Sequence, residues 1–283
     1  MQRQVGIATD TSSDLSQSLA ERFGIATAPI AVRLDGEEVL TRLDMDRQAF
    51  FDKLGSRKLM GTAAVNPHDW LQAYQSLAPA ASEIVAITLS PVLSRTFQSA
   101  QTAQSLLAEC PVRVVDSGTV FAGLALLVLG AAEKAHRGDR AEAIVTWLEN
   151  ARAQTVTGMI SPSMAMLARI GRVDGPEEVG EDYALIQVLE GKFAPWGTAS
   201  SFPEAVEITL NEWATRPGVK YERAVVDHGR VPQLAEILID GILRHWPDCQ
   251  VTRIDDGPMT AVVADGPGGV AFALGPNAES ERG

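Results

Sequence analysis

Short apolar runs recur along the first half of the chain, each closed by small polar residues and followed by apolar positions at helical spacing. Val5-Gly6-Ile7-Ala8 predicts a strand, Thr9 to Asp14 a polar loop, and Leu15, Leu19 and Phe23 the inner face of a helix. Ile25 to Val32 predicts the next strand. Leu34-Asp35-Gly36-Glu37 predicts a turn, with Val39-Leu40 pairing back as a hairpin. Asp46 is placed to cap a helix carrying Phe50, Phe51 and Leu54. Gly61 to Pro67 predicts a loop of mostly small residues, in which Asn66-Pro67 starts a helix that turns Trp70, Leu71 and Tyr74 inward. Ile84 to Leu89 predicts a buried strand that halts at Ser90-Pro91. A helix begins near Ser94, with Phe97, Ala100, Ala103 and Leu106-Leu107 on its inner face. Val112 to Val115 predicts a strand, Asp116 to Thr119 a loop, and Ala141 to Arg152 an amphipathic helix with Ile144, Val145 and Leu148 inward.

This alternation predicts a mostly parallel sheet covered by helices. Ligands of such sheets sit beyond the carboxyl ends of the strands. Thr9 to Ser13, Thr62, Ser90 to Thr96 and Asp116 to Thr119 are therefore expected near one rim. The second half reads differently. Thr155 to Ile160 is a strand, Ser163 to Leu167 starts a helix ending near Arg169 to Arg172, and Val173 to Glu181 is an acidic loop. Leu185 to Val188 and Phe193 to Trp196 form a hairpin around Glu190-Gly191-Lys192. Two helices (Pro203 to Trp213, Pro232 to Leu243) and strands at Arg223 to Asp227 and Cys249 to Ile254 follow. A loop from Gly257-Pro258 to Gly269 then leads to a last strand, Val270 to Leu274. The expected fold class is α/β: an N-terminal, mostly parallel sheet with flanking helices over residues 1–154, and a smaller C-terminal α/β domain over 155–283.

Composition narrows the function. The 283 residues are 46% hydrophobic, ample for a large core. The 24 basic and 36 acidic residues give a net charge of −12, which argues against nucleic acid and anionic membrane as main partners. Cys110 and Cys249 lack metal-ligand spacing, and Asp10 with Asp14 is thin evidence for a cation, so no metal and no cofactor are expected. Val120 to Ala132 is the most apolar run. It is too short to span a bilayer and is ended by Glu133, Lys134, His136 and Arg137, so it predicts a buried helix. With no leader pattern at the N-terminus, the expectation is a cytoplasmic protein without a membrane segment.

The candidate chemistry centres on Leu89 to Ala100, LSPVLSRTFQSA. Free N–H groups at a helix N-terminus, with the hydroxyls of Ser90, Ser94 and Thr96 beside them, suit an anion. The same residues serve equally as an ordinary helix cap. A serine hydrolase using Ser94 would need a base from His68, His136, His228 or His245, and no G-x-S-x-G elbow is present. A nucleotide-dependent kinase would need a phosphate loop, and no GxxxxGK[ST] occurs.

Several motifs resemble, in order and spacing over nearly the whole chain, the DegV family of bacterial fatty-acid-binding proteins. They are ATDTSSDL at Ala8 to Leu15, the Asp35-Gly36 turn, GTAAVNP at Gly61 to Pro67 and LSPVLSRTFQSA at Leu89 to Ala100. VVDSGTV at Val114 to Val120, MLARIGRV at Met166 to Val173 and the closing GP…GPGG segment complete them. The resemblance implies two α/β domains with a long-chain fatty acid enclosed between or beside them, its acyl chain in an apolar tunnel of the N-terminal domain and its carboxylate on hydroxyls matching Thr62 and Ser94. It also implies that a separate fatty acid kinase receives the bound acid and makes an acyl phosphate, so the binding protein is not itself an enzyme. Asn66, Ser90 and Thr96, in the same two motifs, complete the candidate ligand-binding residues. Ala63 stands where the family usually has Ser, and Arg95 where it has Gly. Arg95 is thus either a new charged contact to the head group or a solvent-facing side chain. Val263-Ala264-Asp265 stand where a His usually precedes Gly-Pro-Gly. A binder of another apolar carboxylic acid without a kinase partner remains the alternative.

Overall fold

The computed structural model describes residues 4–41, 48–50, 52, 59–162, 168, 182–216, 219, 221–255, 260–265 and 268–279. The expectations for Asp46, Phe51, Leu54, the helix from Ser163, the Arg169 to Arg172 turn and the acidic loop lie outside the described residues.

The first sheet is parallel, with strands β1 (Gln4–Asp10), β2 (Ile25–Ala28), β6 (Ala81–Thr88) and β7 (Val112–Asp116) in the order β2-β1-β6-β7. Its connections are α1 (Gln17–Phe23), α2 (Pro67–Leu77) and α3 (Thr96–Leu106). A small antiparallel sheet, β4-β3-β5, is built from β3 (Ala31–Leu34), β4 (Glu37–Leu40) and β5 (Leu59–Ala63). Asp35 and Gly36 both have positive φ (51° and 87°), the two-residue hairpin geometry that the Asp-Gly pair favours.

The strand expected over Ile25 to Val32 is two strands in two different sheets. Pro29 lies between them and has no N–H for a ladder. The loop expected from Gly61 is strand through Ala63, with Thr62 opposite Val32. These small residues gave no alternating pattern, and pairing with β3 decides their conformation.

The second sheet is mixed, in the order β10-β9-β8-β13-β11-β12. Its strands are β8 (Val156–Ser161), β9 (Tyr183–Leu189), β10 (Lys192–Ala199), β11 (Arg223–His228), β12 (Gln250–Ile254) and β13 (Val270–Gly275). Side chains alternate between its faces. Ala271 and Ala273 join the large core shared with the parallel sheet, whereas Val270, Phe272 and Leu274 pack under α6 (Phe202–Ala214) and α7 (Pro232–His245). A short helix, α8 (Thr260–Asp265), occupies part of the stretch expected to be all loop.

Between the two sheets runs α4 (Ala122–His136), touching β1 and β6 on one side and β8, β11 and β13 on the other. Every residue from Ala122 to Ala132 is buried, as the sequence predicts for a helix apolar on all sides. Its partner α5 (Ala141–Gln154) presents Ile144, Trp147 and Leu148 to it. In α3, by contrast, Leu106 points to solvent at 61% exposure, while Ala100 and Ala103, with Leu107 just past the helix end, carry the packing. Among the described residues no helix is long and apolar enough to cross a membrane.

The α4–α5 contact depends on a missing side chain. A Cβ on Gly130 would lie 2.2 Å from the Trp147 ring. Gly130→Ala is therefore expected to destabilise the fold by about 1–3 kcal/mol through overpacking. Urea denaturation with an unchanged midpoint would contradict this.

Candidate functional site

Two buried aspartates organise the loops at the carboxyl ends of the parallel strands. Asp10, the last residue of β1, accepts a hydrogen bond from the Ser12 N–H (3.1 Å), another from the Ser12 hydroxyl, and a third from the Leu89 N–H (2.9 Å). It thereby fixes both its own turn and the start of the Ser90 loop. Asp14 sits in the left-handed region at φ 49° and accepts from the N–H groups of Thr260 (2.6 Å) and Ala261 (2.7 Å), which anchors the start of α8. Full burial pushes the Asp10 carboxyl up to about 6 against its hydrogen bonds. Burial also raises Asp14, while bonds from Thr260 and Ala261 pull the other way.

Backbone bonds join the remaining loops. The Ser90 N–H donates to the Thr119 carbonyl (2.9 Å), the Ser117 N–H to Thr88 (3.1 Å), and the Phe121 N–H to Ser12 (2.8 Å). The Thr62 segment meets the Ser94 loop through the Val65 N–H, which donates to the Thr96 hydroxyl (3.3 Å). The β9–β10 turn closes over the same loop, since a Cβ on Gly191 would lie 2.3 Å from Ser90 Oγ. The four segments expected near one rim are thus physically linked.

Behind this rim lies an apolar cavity of ≈ 50 Å³. Leu89, Leu93, Val120, Phe121, Phe193 and Val263 supply most of its wall, Ile30 closes it, and the hydroxyl-bearing residues are Ser12, Thr62 and Thr260. Two of those hydroxyls are committed: Ser12 donates to Asp10, and Thr260 lies against Asp14 and the Thr11 carbonyl. The Thr62 hydroxyl makes no hydrogen bond among the described residues. A larger open cleft of ≈ 580 Å³ includes Arg152 and Arg216, but these cations already hold Asp116 (3.0 Å) and Gln187 (2.9 Å). None of the six candidate ligand-binding residues lines that cleft, although Gly118 of the expected rim does.

Of those residues, Thr62 lines the cavity. Ser94 and Thr96 stand one loop away with their hydroxyls 2.9 Å apart. Ser90 is buried and accepts from the Val92 N–H (3.2 Å). Asn66 is exposed and caps α2 by accepting from the His68 N–H (2.9 Å). Arg95 is exposed at the start of α3 and makes no side-chain cap bond. Ser12 belongs to the Thr9 to Ser13 loop expected at the rim, whereas Phe121, Phe193, Thr260 and Val263 are not singled out by the sequence. Phe193 lies in a hairpin that is legible locally, whereas Thr260 and Val263 lie in α8, a helix where a loop is expected, and the convergence of all these residues depends on contacts across long stretches of chain.

The histidines are occupied elsewhere. His68 meets Gln72 (3.2 Å), His136 stacks on Phe23, His228 bonds Asp255 (2.8 Å), and His245 bonds Gly241 and Asn211. The recorded partner of the Ser94 hydroxyl is Thr96, so no histidine is bonded to it as a base.

The raised Asp10 carboxyl makes stability depend on pH. Its ordinary value is 3.8, so between 3.8 and about 6 the folded chain holds a proton that the unfolded chain releases. Its contribution is fully present below 3.8 and is lost as pH rises through about 6. Asp10→Asn does not titrate there. Relative to this variant, the wild type should gain about 2–3 kcal/mol between about pH 7 and about pH 4 in urea denaturation. A stability difference that stays constant with pH would contradict the assignment.

A family model described as "Uncharacterised protein, DegV family" matches residues 4–277. A DegV domain-containing protein of Streptomyces coelicolor is 27% identical over 273 residues, 95% of this chain and 97% of that one. Matches to some other curated DegV domain-containing proteins span 61–63% of those proteins. Among solved structures, a DegV family protein from Thermus thermophilus, described by its fatty acid binding, superposes with a TM-score of 0.81 at 24% identity, over 96% of this chain and 99% of that one. The Streptococcus pneumoniae Fatty Acid Kinase (Fak) B3 protein loaded with linoleic acid superposes with a TM-score of 0.84 at 15% identity, over 96% and 99%. These likenesses show a shared fold. With the family model spanning residues 4–277, the chain belongs to the DegV family.

Proposed function

We propose that this protein is a non-catalytic fatty-acid carrier. It encloses the acyl chain of a long-chain fatty acid and leaves the carboxylate at the rim for a partner kinase that forms an acyl phosphate. The carrying observation is the apolar wall of the cavity, from Leu89, Leu93, Val120, Phe121, Phe193 and Val263, with the Thr62 hydroxyl, which bonds none of the described residues, at the same cavity. Each buried methylene contributes about 0.8 kcal/mol, so tail burial supplies the affinity and the head contacts orient the acid. The ligands named for the Thermus thermophilus and Streptococcus pneumoniae structures support a fatty acid, and the latter's name supports the kinase. The same reading treats residues 1–154 and 155–283 as two domains with the ligand between them.

The hydroxyl relay beside the cavity gives the head group its second anchor. Thr96 Oγ1 accepts from the Val65 N–H and can donate its own proton to Ser94 Oγ, which also accepts from the Thr96 N–H (3.3 Å). Ser94 is then free to donate to a carboxylate together with Thr62. Thr96 acts as a positioning residue, Ser90 and Asn66 shape the two loops, and exposed Arg95 faces a partner rather than the buried tail. Hydroxyl donors hold a carboxylate less tightly than a bidentate Arg, which suits handing it on.

Native mass spectrometry of the purified protein, followed by denaturing lipid analysis, tests this. A stoichiometric adduct of fatty-acid mass is expected. Thr62→Ala and Ser94→Ala should each weaken binding by about tenfold or more, the loss of one hydrogen bond to a charged acceptor. A protein that stays unliganded after incubation with several fatty acids would overturn the proposal.

A further inference from the structure

The cavity is too small for the ligand proposed for it. Its ≈ 50 Å³ is well below the roughly 300–1,000 Å³ of ordinary small-molecule pockets. Two phenyl rings take up the space. Phe121, on the turn into α4, and Phe193, on β10, stack with centroids 5.8 Å apart and planes 25° from parallel. They come from opposite halves of the chain and both line the cavity.

Phe121 holds its place under strain. Its backbone has φ 53° and ψ −131°, a conformation that glycine adopts freely and a side chain with a Cβ does not. The strained residue is nevertheless buried, and its N–H is tied to the Ser12 carbonyl at 2.8 Å. Such strain persists only where surroundings over-determine it, and it clusters at ligand sites. Phe193 is held less firmly, being half-buried on β10, the strand at the edge of the mixed sheet.

We propose that the Phe121–Phe193 pair sets the acyl length this protein accepts. Stacked, the rings occupy volume that further methylenes would need, and longer chains bind only by separating them. The wild type therefore has its optimum at shorter acids than a variant lacking either ring. This rests on the fatty-acid reading above and deepens it to a choice among chain lengths.

The test is a competition titration with straight-chain saturated acids from octanoic to stearic, on wild type, Phe193→Ala and Phe121→Ala. Thermal melts check that each variant is folded, and Phe193→Ala decides if Phe121→Ala is not. The affinity of the ring-deleted protein for stearic relative to decanoic acid should rise about tenfold over wild type, the worth of about two further buried methylenes. Variants that bind the series but keep the wild-type length profile would overturn the length gate and leave the carrier function standing. Wild type and variants that all fail to bind any acid in the series would overturn the carrier function itself, and the gate with it.

Discussion

A helix that is apolar on every side has to be covered on every side, and α4 imposes that constraint on the rest of the molecule. Leu124 to Leu129 are fully buried, with strands of the parallel sheet on one flank and of the mixed sheet on the other. Covering this helix presses the two halves of the chain together along its length. Where the helix begins, at Phe121, the loops that end the parallel strands meet the β9–β10 hairpin and α8. The cavity is the space left at that junction.

The junction is secured by two fully buried carboxylates, each of which accepts backbone hydrogen bonds from a neighbouring loop. Asp10 binds its own turn to the Ser90 loop, and Asp14 binds the same turn to α8 from the far end of the chain. Buried carboxylates are costly unless hydrogen-bonded, so these loops cannot separate without exposing unsatisfied groups. Among the described residues, no lysine or arginine lines the cavity. The chemistry offered to a ligand is thus apolar surface plus hydroxyl groups, which suits a long tail with one weakly held polar end.

Much of this architecture was legible from local pattern. The strand–loop–helix alternation anticipated the parallel sheet, and Val120 to Ala132 showed no polar face that could meet water. Asp35-Gly36 and Glu190-Gly191 marked their hairpins through turn chemistry alone. Local pattern failed where pairing at a distance decides conformation. Gly61 to Ala63 became strand because β3 lies beside it, and Ile25 to Leu34 split because Pro29 ends one ladder before another starts. Near the cavity, the Ser94–Thr96 hydroxyls stand out as small polar residues after an apolar run, whereas the Thr62 loop by itself reads as a connector and Thr62 becomes a candidate anchor through the family resemblance. Phe121 and Phe193 looked like ordinary core positions, since nothing in either segment announces that the other will stack on it. Thr260 was equally hidden, as its partner Asp14 lies at the opposite end of the sequence.

The most direct measurement of the central claim is where an acyl tail comes to rest. A fatty acid carrying a photoreactive diazirine at its tail would be bound to the intact protein, irradiated, and the labelled peptides identified by mass spectrometry. Label is expected on the cavity wall, in peptides containing Leu89 and Leu93, Val120 and Phe121, or Phe193, competed away by unmodified fatty acid. Label confined to exposed apolar positions such as Leu106 or Leu243, and insensitive to competitor, would contradict it.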